Sequence, residues 1–265
     1  MESSNSAAKL KVVGVGGAGG NAINDMMQSD IISDVEFIAI NTDRQDLERS
    51  LTQTRVLLGE GTGAGADPEK GKKAAKESEE AVREVLKGTD MLFITAGMGG
   101  GTGTGAAPIV AEVARGMGIL TVAVVTKPFD FEGPLKKNNA EIGIENLRKH
   151  VDTLIAIPNE KLFELPNISI TLMNAFKEAN GVLRVGIKGI SDLITKQGFV
   201  NLDFADVKAI MQDSGIAMLG FGEASGDGKS KTATEQALNS PLLEKSIEGA
   251  RKILLNITAG SDIGL

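Results

Sequence analysis

The chain has 265 residues, of which 42% are hydrophobic and 24% charged, enough for one large domain or two moderate ones. It holds no cysteine and one histidine, which excludes a disulfide framework, a thiol nucleophile and a multi-histidine metal site. The net charge of −7 argues against a general nucleic-acid binder, and no apolar run or signal-peptide pattern predicts membrane insertion or export.

The predicted elements alternate along the first part of the chain, after a polar segment at residues 1–9 that we expect to be a flexible tail. Apolar runs of strand length occupy residues 10–15, 35–40, 55–58, 90–96, 119–126 and 153–157. Helical spacing predicts helices at residues 21–27, 67–86, 106–115 and 134–149. Strands that alternate with helices indicate a Rossmann-like parallel sheet covered on both faces, which we assign to residues 10–168.

The pattern changes after this sheet. Residues 170–194 predict one long helix, with Leu172, Phe176 and Leu183 on its apolar stripe and three glycines inside it. We assign residues 169–196 to this central helix. Beyond it, strands are expected at residues 199–202, 216–222 and 252–259, with helices at 205–212 and 231–239. Residues 197–265 therefore predict a second, smaller α/β unit.

Glycine is the unusual residue, at 33 of 265, and it is clustered where predicted strands end. In parallel sheets the ligand crevice lies beyond the carboxyl ends of the strands. The first cluster has the spacing Gly14-x-Gly16-x-x-Gly19, and Asp43 closes the next strand, a pattern close to a dinucleotide-binding fingerprint. A nicotinamide- or flavin-dependent oxidoreductase is therefore the first hypothesis.

A second glycine loop, at residues 59–66, and a third, at Gly99–Gly105, favour a different ligand. The third places five glycines and two threonines in seven residues at a strand-to-helix junction, where backbone N–H groups can converge on an anion. Dinucleotide enzymes have one such loop, whereas three around one crevice suit a di- or triphosphate. Residues 65–73 do not form a P-loop, because five residues separate the glycines and no Ser or Thr follows the lysine.

These motifs resemble a known family. Gly99–Gly105 reads GGGTGTG, the signature of the tubulin/FtsZ superfamily, and residues 96–108, 125–129 and 201–207 are similar to bacterial-type FtsZ sequences. The resemblance runs from about residue 9 to the last residue. It implies a GTPase that polymerises head to tail into protofilaments and drives cell or plastid division. Its ligands would be GTP and GDP with Mg²⁺, and K⁺ is a further candidate cation.

The resemblance also implies roles for individual residues. Phosphate and nucleoside would be held by Gly16, Gly17, Gly19, Gly20, Asn21, Gly101, Thr102, Gly103 and Thr104. Asn41 and Asp43 would lie by the phosphates, with Asp43 a candidate Mg²⁺ ligand, while Ala64 and Gly65 would sense the γ-phosphate. The remaining contacts would be Glu132 to the ribose, Lys136 near the nucleotide in place of an arginine, and Asn159, Phe176 and Asn180 to the guanine.

Asp203 and Asp206 have two interpretations. Their spacing at a predicted helix start is typical of an N-cap and a first-turn acid, and composition alone favours that structural role. The resemblance instead implies that both enter the nucleotide site of a neighbouring subunit and complete hydrolysis there. Phe176 is similarly ambiguous, since its place on the apolar stripe also fits a core residue.

The resemblance finally implies partners and location. We expect a homopolymer in the cytoplasm, at the division site or in an organelle stroma, with division-ring regulators, membrane contact only through tethering proteins, and no nucleic acid. Relatives continue beyond the last residue here, so the second unit is expected to be partial. The alternatives are a GTP-binding relative that caps or regulates filaments, and the oxidoreductase above.

Overall fold

A computed structural model describes residues 8–29, 32, 34–165, 170–171, 173–243 and 247–260. Its centre is one sheet in which all seven strands run parallel, in the order β3-β2-β1-β4-β5-β6-β7. The strands are β1 Leu10–Val15, β2 Val35–Asn41, β3 Thr54–Leu57, β4 Met91–Gly97, β5 Leu120–Lys127, β6 Thr153–Pro158 and β7 Gly215–Ala217. The predicted parallel sheet is confirmed.

Helices connect the strands. They are α1 Gly16–Gln28, α2 Arg44–Glu48, α3 Pro68–Glu77, α4 Glu79–Val85, α5 Thr102–Gly116, α6 Pro134–Arg148, α7 Ala175–Thr195, α8 Phe204–Met211 and α9 Lys229–Leu238. Short 3-10 segments lie at Asp130–Glu132 and Asn159–Glu164. Within the described ranges, no helix is both long enough and apolar enough to cross a membrane.

The core has two halves, one on each face of the sheet. Val12 and Phe93 point to the side covered by α1 and α7, where they pack with buried residues such as Ile23 and Leu183. Their strand neighbours, Val13 among them, point to the side covered by α3 to α6. This burial on both faces explains why the strand sequences are continuous apolar runs rather than alternating ones.

The helices after the first and third glycine clusters begin earlier than predicted. α1 begins at Gly16 and α5 at Thr102, rather than at residues 21 and 106. Glycine is a poor helix former, so its presence suggested turns, yet here the glycines form the first turns because these turns pack against other backbone. The predicted helix 67–86 is divided into α3 and α4 at Ser78, whose φ of −111° and ψ of 15° interrupt the helix.

The central helix α7 begins at Ala175, five residues later than predicted, and Leu172 lies outside the described residues. The Asn174 side-chain oxygen accepts a 2.6 Å hydrogen bond from the Thr171 backbone N–H, and this local turn precedes the helix. Gly186 packs closely, because a Cβ there would lie 3.0 Å from Leu219 Cδ2 and the leucine side chain would have to shift. Gly189 has open space around it, so packing does not explain that glycine.

The second unit differs from the prediction. Of the three strands expected there, only Gly215–Ala217 forms, and it extends the main sheet beside β6 instead of starting another. Residues 199–202 and 252–259 are not strands, because a strand must pair with another strand and no described strand pairs with either run. The second of them lies along helices instead, with Asn256 donating to the Gly189 carbonyl at 2.9 Å. The predicted helices α8 and α9 are confirmed.

Candidate functional site

Four loops meet at the carboxyl edge of the sheet, and we number them in chain order from the first to the fourth: the β1–α1, β2–α2, β3–α3 and β4–α5 connections. The glycine loops at residues 59–66 and Gly99–Gly105 are the third and the fourth of these. The hydroxyls of Thr42 and Thr102 are 2.6 Å apart and join the second loop to the fourth. The Gly63 N–H donates to the Thr42 carbonyl at 2.8 Å, which joins the third loop to the second. The predicted convergence of the glycine clusters on one crevice is therefore present.

The loops approach so closely that side chains are excluded. Gly16 has φ +74°, and a Cβ there would lie 2.9 Å from the Gly103 nitrogen. A Cβ on Gly19 would lie 2.5 Å from the Thr95 carbonyl oxygen. A Cβ on Gly101 would collide with the Gly65 carbonyl and lie 2.9 Å from Ala64 Cβ. Backbone, not side chains, thus lines this edge.

Two helix N-termini open onto this edge. Val15 and Gly101 occupy the N-cap positions of α1 and α5, and neither side chain can accept a hydrogen bond from the first turn. The N–H groups of both first turns are therefore available to a ligand, and the two helix dipoles favour a negative one. Thr104 is buried, and its hydroxyl accepts from the Gly99 N–H at 2.8 Å, which shapes the loop before α5.

The second loop holds Asn41 and Asp43 in fixed positions. The buried Asn41 accepts from the Asp43 N–H at 3.2 Å and donates to the Asp46 carboxylate at 3.3 Å. Asp43 caps α2, with Oδ1 accepting from the Gln45 N–H at 2.9 Å. Among the described residues no cluster of three acidic or histidine side chains could hold a metal alone. The donor set therefore fits Mg²⁺ only where phosphate and water oxygens complete its shell.

An aromatic group follows the carboxyl ends of β5 and β6 and includes the first turn of α7; we define it as Phe129, Phe131, Phe163 and Phe176. Phe129 is buried, and Phe163 and Phe176 each meet its ring edge-on with centroids 5.7 Å apart. Phe176 is 51% exposed, so it is not the core residue that its stripe position allowed. Asn159 begins the 3-10 segment that carries Phe163; it is buried, and its Oδ1 has no hydrogen-bond partner among the described residues. A buried unsatisfied oxygen and an exposed aromatic face fit a base with N–H donors.

Glu132 and Lys136 are paired with each other. The carboxylate of Glu132 accepts from the Phe129 N–H at 2.9 Å and from Lys136 Nζ at 2.9 Å. Asn180 is half-buried on the second turn of α7, and Asn21 is exposed on α1. No hydrogen bond of the described residues tests the roles expected for these four side chains, which stay predictions.

Asp203 and Asp206 do not join the glycine loops. They begin α8, where Asp203 Oδ1 accepts from the Asp206 N–H at 2.9 Å and Asp206 Oδ2 accepts from the Asp203 N–H at 3.2 Å. Between them and Phe176 runs α7, whose 21 residues span roughly 30 Å. The structural interpretation, a reciprocal cap, is present, and both side chains remain exposed.

Sequence reasoning missed two polar residues of this edge, Thr42 and Asp46. Each lies within or beside the segment Asn41-Thr42-Asp43, so their position next to assigned residues was the available signal. The pKa of Glu145 is lowered by its hydrogen bond from Arg148, but this exposed pair lies on the last turns of α6 and not among the loops.

A parallel sheet with glycine loops at two open helix N-termini defines a nucleotide-binding α/β protein. Comparison with known proteins specifies the class. Residues 9–167 match the model of the Tubulin/FtsZ family GTPase domain, and residues 215–265 match that of the FtsZ family C-terminal domain. The chain belongs to the tubulin/FtsZ family and has its GTPase domain, so GTP binding and hydrolysis follow from membership.

Solved structures agree with this assignment. An empty FtsZ dimer from M. jannaschii is 49% identical, with a TM-score of 0.86 over 91% of this chain and 71% of that one. A GTPγS-bound protofilament of CetZ2 from Haloferax volcanii is 25% identical, with a TM-score of 0.69 over 82% and 67% of the two chains. The chain is an FtsZ-like GTPase of the kind that forms protofilaments for cell division. The oxidoreductase hypothesis fails, because the matched domain is a GTPase domain.

Proposed function

We propose that this chain hydrolyses GTP at a site shared between two copies of itself, stacked head to tail. One observation carries the proposal: the glycine loops and the carboxylates of Asp203 and Asp206 lie at opposite ends of α7. A single copy cannot bring these acids to its own loops across a rigid helix. A second copy in the same orientation can.

The binding half of the site belongs to the loops. The N–H groups that begin α1 and α5, with the hydroxyl of Thr102, would hold the phosphates. Ala64 and Gly65 lie against Gly101, so the third loop is positioned to respond to a terminal phosphate. Phe176 offers an exposed face for stacking on guanine, and the unpaired oxygen of Asn159 supports a nearby N–H donor.

The hydrolytic half would come from the neighbouring copy. Phosphoryl transfer needs mainly positioning and charge stabilisation, so two carboxylates that orient water can suffice beside backbone donors. Bound Mg²⁺ would neutralise developing phosphate charge, with Asp43 Oδ2 a candidate ligand because Oδ1 is committed to the cap. The exposed carboxylates of Asp203 and Asp206 are free to face a partner surface while they cap α8.

This proposal extends to partners. Self-association is what the shared site requires, and the M. jannaschii and Haloferax relatives are described as a dimer and a protofilament. Division-ring regulators, membrane tethering through other proteins, a cytoplasmic or stromal location, and a role for K⁺ remain proposals that rest on family resemblance.

The decisive measurement is phosphate release as a function of protein concentration at saturating GTP and Mg²⁺. A shared site predicts almost no turnover below a threshold and a steep rise in rate per molecule above it. Light scattering should rise at the same concentration. A constant rate per molecule would contradict the shared site, and GTP binding without scattering or turnover would favour the alternative of a filament cap.

A further inference from the structure

Asp46 places a carboxylate beside the phosphate end of the site. Its Oδ2 accepts from Asn41 Nδ2 at 3.3 Å and lies 3.2 Å from the position that a Cβ of Gly17 would occupy. Gly17 belongs to the first turn of α1, whose N–H groups are open. Asp46 and Gly17 line the same cavity of about 140 Å³, together with Asn41 and Arg49.

An acid in this place weakens nucleotide binding when no cation is present. Negative charge beside the α1 N-terminus competes with phosphate for the same N–H groups and repels phosphate oxygens. A divalent cation placed between carboxylate and phosphate offsets that repulsion, since both groups are hard oxygen ligands. The effect needs no direct bond from Asp46 to the nucleotide.

We propose that Asp46 is a positioning residue that makes nucleotide binding dependent on a divalent cation. It holds Asn41 by its hydrogen bond and keeps a charge beside the first turn of α1. The inference rests on the proposed nucleotide site and adds a cation-dependent control of its affinity. Asp46 also lies in the first turn of α2, where an acid favours the helix dipole, so the test must separate charge at the site from helix stability.

The experiment is a fluorescence titration of the purified chain with methylanthraniloyl-GDP, in excess Mg²⁺ and in EDTA. Asp46→Asn removes the charge and keeps an oxygen that can accept from Asn41. Asp46→Ala removes both the charge and the acceptor. Glu48→Gln, an exposed acid two residues further along α2, is the matched control for net charge. Thermal melting of each variant reports whether α2 and the fold are retained.

In EDTA, we expect Asp46→Asn to bind about fivefold tighter than the unaltered chain, the size of repulsion between two unit charges roughly 4 Å apart in water. In Mg²⁺ the gain should vanish. The dissociation constant in EDTA divided by that in Mg²⁺ should therefore fall by about fivefold in Asp46→Asn, while Glu48→Gln leaves this ratio unchanged. Asp46→Ala should show the same fall in ratio and weaker binding in Mg²⁺, because Asn41 is released.

Two results would overturn the inference: an unchanged ratio in both Asp46 variants, or an equal change in Glu48→Gln. These differ from failure of the proposed function, which would appear as no binding by the unaltered chain in either buffer. Helix destabilisation alone would lower the melting temperature without changing the ratio. If Asp46→Asn does not fold, the ratio measured for Asp46→Ala decides.

Discussion

The two ends of α7 are built on different physical principles. At its N-terminal end the glycine loops pack backbone against backbone, and positions such as Gly19 and Gly101 have no room for a Cβ. At its C-terminal end Asp203 and Asp206 are exposed, and each carboxylate accepts a hydrogen bond from the other residue's backbone N–H. One end is a closely packed backbone that can hold a ligand, and the other is a pair of exposed carboxylates on the surface.

This contrast indicates how the work is divided. Phosphate binding requires many donors at fixed positions, which only a tightly packed backbone supplies. Activation of water requires charge at the right place, which an exposed carboxylate can deliver to another molecule. Changes at the acid end should therefore alter turnover and spare binding, whereas changes at the loop end should alter binding first.

Asp206→Asn should have the largest effect. The N-cap residue of α8, Asp203, is unchanged, and the asparagine introduced at position 206 keeps a side-chain oxygen that can accept from the Asp203 N–H, so α8 should be retained while the charge expected to orient water is lost. We expect turnover to fall at least ~100-fold, with GTP affinity unchanged. Phosphate release above the assembly threshold measures the first quantity and nucleotide titration the second.

Asp213→Asn is the control for that experiment. Asp213 follows the same helix and forms an exposed ion pair with Arg115 at 3.2 Å, so its loss should change turnover less than twofold. If Asp206→Asn keeps full turnover, the acid end is only a helix cap and the contrast between the two ends is lost.

Gly101→Ala tests the loop end. The new Cβ would collide with the Gly65 carbonyl and push the third and fourth loops apart, an overpacking that costs about 1–3 kcal/mol. GTP affinity should fall by roughly tenfold or more, as a titration would show. Gly100→Ala is the matched control, because no heavy atom of the described residues, apart from its chain neighbours, lies within 4 Å of its Cβ position. Equal losses in both variants would mean that the close approach does not shape the site.

Phe176→Ala should have a smaller effect, on affinity alone. Loss of a stacking platform costs about 1–1.5 kcal/mol, or roughly tenfold in the dissociation constant for GTP. Phe163 has the same centroid distance to Phe129, 5.7 Å, and a similar exposure, 49% against 51%. Phe163→Ala should therefore lower stability as Phe176→Ala does and leave affinity unchanged. Matching losses of affinity would show that Phe176 serves only to hold the aromatic group.

Much of the first domain could be predicted from the sequence. Six of the seven strands are β-branched apolar runs bounded by glycine or polar residues, and a run buried on both faces carries that signal without help from its neighbours. The glycine clusters could be placed at one crevice because carboxyl ends of parallel strands share an edge. The starts of α1 and α5 could not be predicted, because these glycine-rich segments become helical through contacts with another loop.

The secondary structure of residues 197–265 was harder to predict, again because contacts with other parts of the chain decide it. Residues 252–259 have a strand-like sequence, but a strand exists only with a partner, and sequence does not report whether one is present. Asp203 and Asp206 show a different limit. A capping pair and a pair of catalytic acids have the same spacing, and the structure shows that one arrangement can satisfy the cap while the carboxylates stay exposed.

The smallest effect is expected for an ion pair that lies midway along α7, between its loop end and its acid end. Asp25 on α1 and Arg184 on α7 form a partly buried ion pair at 2.7 Å, nine residues into each helix. Both helices begin at the loop edge, so this pair fixes α7 against the helix that carries the first glycine loop. A double-mutant cycle of Asp25→Asn and Arg184→Gln, followed by urea unfolding, should give a coupling of about 1 kcal/mol, since the pair is only partly shielded from water.

The exposed pair of Glu145 and Arg148 on α6 is the comparison for that cycle and should show no measurable coupling. If the Asp25–Arg184 coupling is also absent, α7 is held by its apolar stripe alone. The loop end and the acid end would then be joined through the apolar packing of α7, to which Leu183 and Ile187 belong. If it is present, the same cycle measured on turnover separates a pair that only stabilises the fold from one that also keeps the two ends in register. The turnover rate at saturating GTP changes only if the pair also keeps the two ends in register.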